Sequence, residues 1–218
     1  MPAAISASRR SPVSAETAAI RARILQQAQA DFFTQGYSRF TMDQLATELG
    51  MSKKTLYVHF AGKDEIIGAV IEGLGEGVRA DAEKILRAPE LNFVQKLRGF
   101  IGCMMERLAR LDPRTLRDLQ RFAPALFARL DEVRRQNVPF IFGRLVAEGQ
   151  AEGLVRTDVP AGFAIEYFLH AIQGLLQGPV LERLQLAPRE AVAQGIDLFF
   201  RGLLTPAGHK QYEKLLPR

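Results

Sequence analysis

The chain has 218 residues, 47% of them hydrophobic and 24% charged, with a net charge of +5. That is enough for one or two domains with a substantial core, and the single cysteine, Cys103, excludes an internal disulfide and a cysteine-rich zinc site. The charge is uneven. Residues 1–63 hold eight Lys or Arg against four Asp or Glu, and the rest hold twenty-one against twenty. This is the footprint of an N-terminal region that meets nucleic acid.

Residues 1–14 are rich in Ala, Ser, Pro and Arg and are expected to be a disordered tail. Arg9 and Arg10 in it either reach DNA or stay solvated. No apolar stretch of a secretory signal follows them. An amphipathic helix is predicted from about Ala15 to Gln35, burying Ile24, Ala28 and Phe32 at a spacing of four.

The segment FTMDQLATELGMSKKTLYVHFAGK, residues 40–63, carries the strongest signal. Thr41 is a good N-cap, and Met42, Leu45, Ala46 and Leu49 follow at helical spacing. Gly50 is free to adopt positive φ and end that helix. Ser52 caps a second helix, from Lys53 to about His59, with Leu56 and Phe60 turned inward. Two short helices around a tight turn form a helix-turn-helix, whose second helix enters the DNA major groove. Lys53 and Lys54 sit in that helix's first turn, where the dipole disfavours cations. Phosphates and guanine edges offset this cost. The expected base-edge or groove contacts are Lys53, Lys54 and Tyr57. Thr41, Gln44, Ser52, Thr55, His59 and Lys63 are the expected backbone contacts. Asp43 stands on the exposed face of the first motif helix, where a phosphate would prefer a neutral or basic residue.

These residues closely resemble the DNA-binding segment of the TetR family of bacterial transcriptional regulators. The matching marks are the aromatic-Thr start, the LA…LG core, the TLY-x-HF run and the Lys63 that follows. The upstream helix, ending in Gly36-Tyr37, keeps the family's order, and the specific likeness covers roughly residues 15–70. The resemblance implies a homodimer, joined through its last two long helices, that binds a pseudo-palindromic double-stranded operator. It also implies a small-molecule effector whose binding releases the DNA.

Downstream, all periodicity is helical. A long helix is predicted from about Lys63 to Leu86, in which Gly73, Gly75 and Gly77 lower the helix propensity, and another from Glu90 to Arg110. A short one follows Asp112-Pro113. Another runs from Pro124 to about Gly149 with a kink at Pro139. Two more cover Pro160–Gly178 and Pro188–Leu204. The fold class is therefore all-α with nine or ten helices. Residues 15–62 form a three-helix DNA-binding domain and residues 63–218 a larger domain for ligand binding and dimerisation.

The helix at 160–178 is apolar almost all round, and the last one repeats Val192, Ile196, Phe199, Phe200 and Leu203. Surplus apolar surface on both suggests a four-helix seam with a second copy. Glu166, His170, Gln173 and Gln177 form one polar line, flanked by Phe163 and Tyr167. This line faces a ligand pocket, lies in the seam, or faces solvent. In the pocket reading, Phe100, Phe122, Phe127 and Phe140 form walls, and Cys103 and Met104 border them. The expected ligand is small and largely apolar.

Two other classes stay open. One is a ligand-blind architectural DNA-binding dimer. The other is an enzyme with a DNA-binding head using Glu166, His170 or Cys103, although no catalytic set, metal cluster or cofactor motif is visible. The stretch 167–181 is broken by His170, Gln173 and Gln177 and reads as a buried helix rather than a membrane span. A cytoplasmic setting is expected.

Overall fold

The computed structural model describes residues 12–109 and 111–214, so Arg9 and Arg10 lie outside the described residues. Eleven helices are present among them. These are α1 Pro12–Gln35, α2 Met42–Leu49, α3 Lys53–His59, α4 Lys63–Leu86, α5 Phe93–Leu108, α6 Pro113–Phe122, α7 Pro124–Ala151, α8 Ala161–Leu175, α9 Gly178–Leu184, α10 Pro188–Leu203 and α11 Pro206–Glu213. No strand occurs among the described residues, only an isolated bridge between Val155 and Leu204.

The all-α expectation holds. The count exceeds it because α9 and α11 are single short helices, each begun by proline in the first turn, too short to show a period. The first helix begins at Pro12, three residues before the expected Ala15 and inside the stretch expected to be a tail. The helix from Glu90 begins instead at Phe93, because Asn92 and Gln95 close a capping box there. Pro139, where a kink is expected, lies inside the continuous α7.

The described residues bury two cores. The first joins Ile24, Ala28 and Phe32 of α1, Leu45 and Leu49 of α2, Leu56 of α3, and Ile66, Ile67 and Val70 of α4. Leu119 of α6 and Leu126 and Phe127 of α7 also belong to it. Packing therefore does not divide at residue 62. The start of α4 and the α6–α7 corner complete the N-terminal bundle.

The second core is built on aromatic rings of α7, α8 and α10. Phe142 lies 4.5 Å from Phe168, and Phe168 lies 4.7 Å from Phe199, centroid to centroid. Val192, Ile196, Phe199, Phe200 and Leu203 are all buried within this chain. The stripe expected to form a seam between copies is thus core. Truncating a fully buried ring such as Phe200 to alanine costs about 3–5 kcal/mol.

Candidate nucleic-acid interface and internal cavity

The helix-turn-helix forms as its sequence dictates. The Thr41 side chain accepts the Gln44 N–H at 3.2 Å, and the Ser52 hydroxyl accepts the Thr55 N–H at 3.0 Å. Gly50 takes φ 63°, which only glycine adopts without strain, and closes α2 with bonds to the carbonyls of Ala46 and Thr47. Leu56 is fully buried and sets the rotation of α3.

Lys53, Lys54, Thr55 and Tyr57 are exposed on α3. They are not equally free. Lys53 pairs with Asp43 of α2, which gives the acid a place in the motif. Lys54 has no ion-pair partner among the described residues. Gln44 donates to Glu48 at 2.8 Å, and Thr55 shares a 2.8 Å hydrogen bond with Ser52. The half-buried His59 offers its backbone carbonyl to Arg21.

Lys63 differs most from expectation. Its ammonium donates to the carbonyls of Tyr37 (3.2 Å) and Phe40 (3.4 Å) and lies 4.0 Å from the centre of the Tyr37 ring. It braces the α1–α2 turn from inside rather than reaching out to phosphates. Val58 carries no motif signal, yet at 75% it is the most exposed of the large apolar side chains on the described residues.

The interface is fastened to the rest of the chain through α6. The Ser38 N–H donates to the Asp118 carboxylate at 2.5 Å, and the Asp112 N–H donates to the Phe33 carbonyl at 3.0 Å. Tyr37 donates to Asp64 at 2.6 Å. Burial first, and the neighbouring Asp64 second, push the Tyr37 hydroxyl up to about 12.

Beside this junction lies a cavity of about 190 Å³. Phe32 and Phe33 of α1 wall one side. Phe100 and Met104 of α5, Leu116 of α6, Phe142 of α7, Phe168 and Ile172 of α8 and Ile196 of α10 wall the rest. Its polar lining is Arg107, Arg134 and Asn137. Arg107 is paired with Asp81, Arg134 bonds Asp131 at 2.6 Å, and Asn137 donates to the Gly75 carbonyl at 2.9 Å. Burial lowers the Arg134 pKa, and Asp131 opposes that shift.

Of the expected pocket residues, Phe100 and Met104 line this cavity and the others do not. Phe127 belongs to the N-terminal core. Phe122 is exposed, Phe140 stacks between Arg79 and Arg144, and the half-buried Cys103 is off the cavity wall. The line of Phe163, Glu166, Tyr167 and His170 points outward. Phe163 is 66% and Tyr167 64% exposed, and His170 stands 3.8 Å from Glu166. Gln173 is half-buried and also off the cavity wall. The reason is rotational. With both faces of α8 apolar, Phe168 and Ile172 turn inward, and the polar line is left outside. Leu198 of the neighbouring α10, 73% exposed, lies outward too.

Among the described residues no helix is long and apolar enough to cross a membrane.

Three comparisons bear on this arrangement. The sequence profile described as "Bacterial regulatory proteins, tetR family" matches residues 24–70. The HTH-type transcriptional regulator YvaF of Bacillus subtilis is 23% identical over 168 residues, covering 77% of this chain and 87% of the relative. A crystal structure of a transcriptional regulator from Cytophaga hutchinsonii superposes with a TM-score of 0.64 at 18% identity, over 84% of this chain and 98% of the other. A SmeT–triclosan complex superposes with a TM-score of 0.62 at 18% identity, over 87% and 94%. These structures share the fold, and the sequence matches are to regulators of transcription rather than to enzymes. The capped helix-turn-helix, the helical domain behind it and these matches agree: the chain is a DNA-binding transcriptional regulator whose residues 24–70 match the TetR-family DNA-binding domain.

Proposed function

We propose that the protein is a homodimeric repressor, working in the cytoplasm, that binds a pseudo-palindromic operator and releases it when a small, largely apolar effector enters the cavity. Residues 15–62 form the DNA-binding head. Residues 63–218 hold the effector and join the copies. Lys53, Lys54 and Tyr57 meet the groove. Thr41, Gln44, Ser52, Thr55 and His59 lie along the backbone.

One observation carries the reading: the cavity is walled jointly by Phe32 and Phe33 of the head and by side chains of α5–α8 and α10. An occupant that fits this space prefers one placement of α1 over another. It shifts the head by no more than its difference in affinity for the two placements. The three polar side chains on its wall, Arg107, Arg134 and Asn137, are already paired within the chain, which leaves an apolar surface for an apolar effector. Triclosan, bound by a protein of the same fold, is a suitable probe. Phe163, Tyr167 and Leu198 supply the outward apolar surface that a second copy would cover.

The test is a titration of triclosan into the full chain bound to a fluorescent duplex enriched from a random pool. Ligand occupancy should raise the melting temperature of the free protein and release the duplex over the same concentration range. A probe that raises the melting temperature and leaves the DNA bound refutes the coupling.

A further inference from the structure

On α3, Leu56 is fully buried in the N-terminal core. At 3.6 residues per turn, the residues two before and two after it point about 160° away. Those residues are Lys54 and Val58. They form the outermost line of the helix, with Thr55 and Tyr57 on its flanks, while Lys53 is engaged by Asp43. Val58 joins neither hydrophobic core among the described residues. A β-branched residue gives up side-chain freedom in a helix, and its γ-methyls here face water. Neither property helps the free protein, and Lys, Gln or Ala at this site would make a better helix.

In a major groove the base edges offer donors, acceptors and a single apolar group, the C5 methyl of thymine. We infer that Val58 is a specificity-determining residue that packs on a thymine methyl, one turn along the helix from Lys54. The two side chains are i and i+4, about 5–6 Å apart, and base pairs rise by about 3.4 Å. The bases they read are therefore one or two steps apart. Lys54 suits the O6 and N7 acceptors of guanine, so each half-site holds a guanine and a thymine within two base pairs. This rests on α3 being the recognition helix, and the experiment separates the two.

Duplexes are enriched from a random pool with the full chain. Each thymine of the enriched sequence is then replaced in turn by deoxyuridine, which removes only the methyl. Wild type should lose about fourfold in affinity at one thymine per half-site, the weight of one buried carbon group. Val58→Ala should bind the thymine and deoxyuridine duplexes alike. Enrichment repeated with Val58→Gln should no longer select thymine there, because a glutamine amide pairs with adenine. Wild-type indifference to every methyl, or the same penalty in Val58→Ala, overturns the inference while leaving the helix reading intact. A wild-type chain that enriches no duplex and shows no salt-dependent binding overturns the helix reading, and Val58 with it.

Discussion

Asp43 on α2 and Lys53 on α3 form an ion pair across the two helices of the motif. Both side chains are more than half exposed, so the pair adds little to stability. Its consequence lies in DNA binding. It draws one of the two first-turn lysines back toward α2 and leaves Lys54 as the forward cation.

Removing the acid should therefore strengthen binding. Asp43→Asn frees Lys53 and deletes a negative charge at the phosphates. The expected result is higher affinity and a salt slope steeper by up to about 0.9, one more released counterion. Lys53→Ala with Lys54→Ala should do the reverse, lowering affinity and flattening the slope. Fluorescence anisotropy across a salt series reads both. An unchanged slope in the double variant would remove these lysines from the interface.

Tyr167 of α8 and Leu198 of α10 both face out. Tyr167→Asp with Leu198→Asp places charge on the outward face of α8 and α10. A seam that buries it pays several kcal/mol, so sedimentation should show helical monomers in place of dimers. Phe199→Asp is a contrasting case, because Phe199 packs within its own chain against Phe168 and Phe142. That variant should lose its circular-dichroism signal instead of merely dissociating. Dimers that persist in the Tyr167/Leu198 variant would place the seam elsewhere.

The head of this protein was legible because its signals are local. Thr41, Gly50 and Ser52 act on atoms within four residues of themselves, and capping and left-handed backbone are written in single side chains. The cavity was not legible. Phe100 and Met104 face it, while Phe122, Phe127 and Phe140 do not, and no pattern within one helix separates them. On α8 the aromatic and aliphatic residues cover the whole circumference, so periodicity gives no rotation angle. Lys63 failed for a related reason. Its place in the motif suggested DNA, but its partners are carbonyls 23 and 26 residues back.

A pH dependence follows from the contact between α1 and α2. Asp31 is buried beside Glu48, and Gln27 bridges them with bonds of 3.0 and 2.9 Å. Burial first, and a hydrogen bond to Glu48 second, push the Asp31 carboxyl up to about 6. Glu48, stabilised by Gln44 and by the Asp31 proton, is lowered. A raised folded pKa means that the native state holds this proton more tightly than the unfolded chain. The Asp31 contribution is therefore complete below about pH 4 and is lost as pH rises to about 6. Asp31→Asn keeps a donor for Glu48 and an acceptor for Gln27 without the ionisation. It should be more stable than wild type by about 2 kcal/mol at pH 7.5 and level with it near pH 4. Urea melts at the two pH values decide this, and an equal effect at both would mean that Asp31 does not hold a proton in the fold.

Helix α4 crosses α7 at the cavity wall. A Cβ at Gly75 would run into a γ-methyl of Val133, and the Gly75 carbonyl is held by Asn137. Glycine is required here for close approach, since its helical backbone suits any residue. Gly75→Ala gains about 1 kcal/mol in helix propensity but forces the helices apart. Overpacking of this kind costs about 1–3 kcal/mol, so the net change should be destabilising. Val133→Ala on its own removes two methyls and should also destabilise. Together the two should be more stable than the sum of their single effects predicts, because the added methyl occupies the space the valine leaves. A double-mutant cycle by thermal or urea melting measures that coupling. Strict additivity would show that α4 and α7 do not cross as closely as the Gly75–Val133 contact requires.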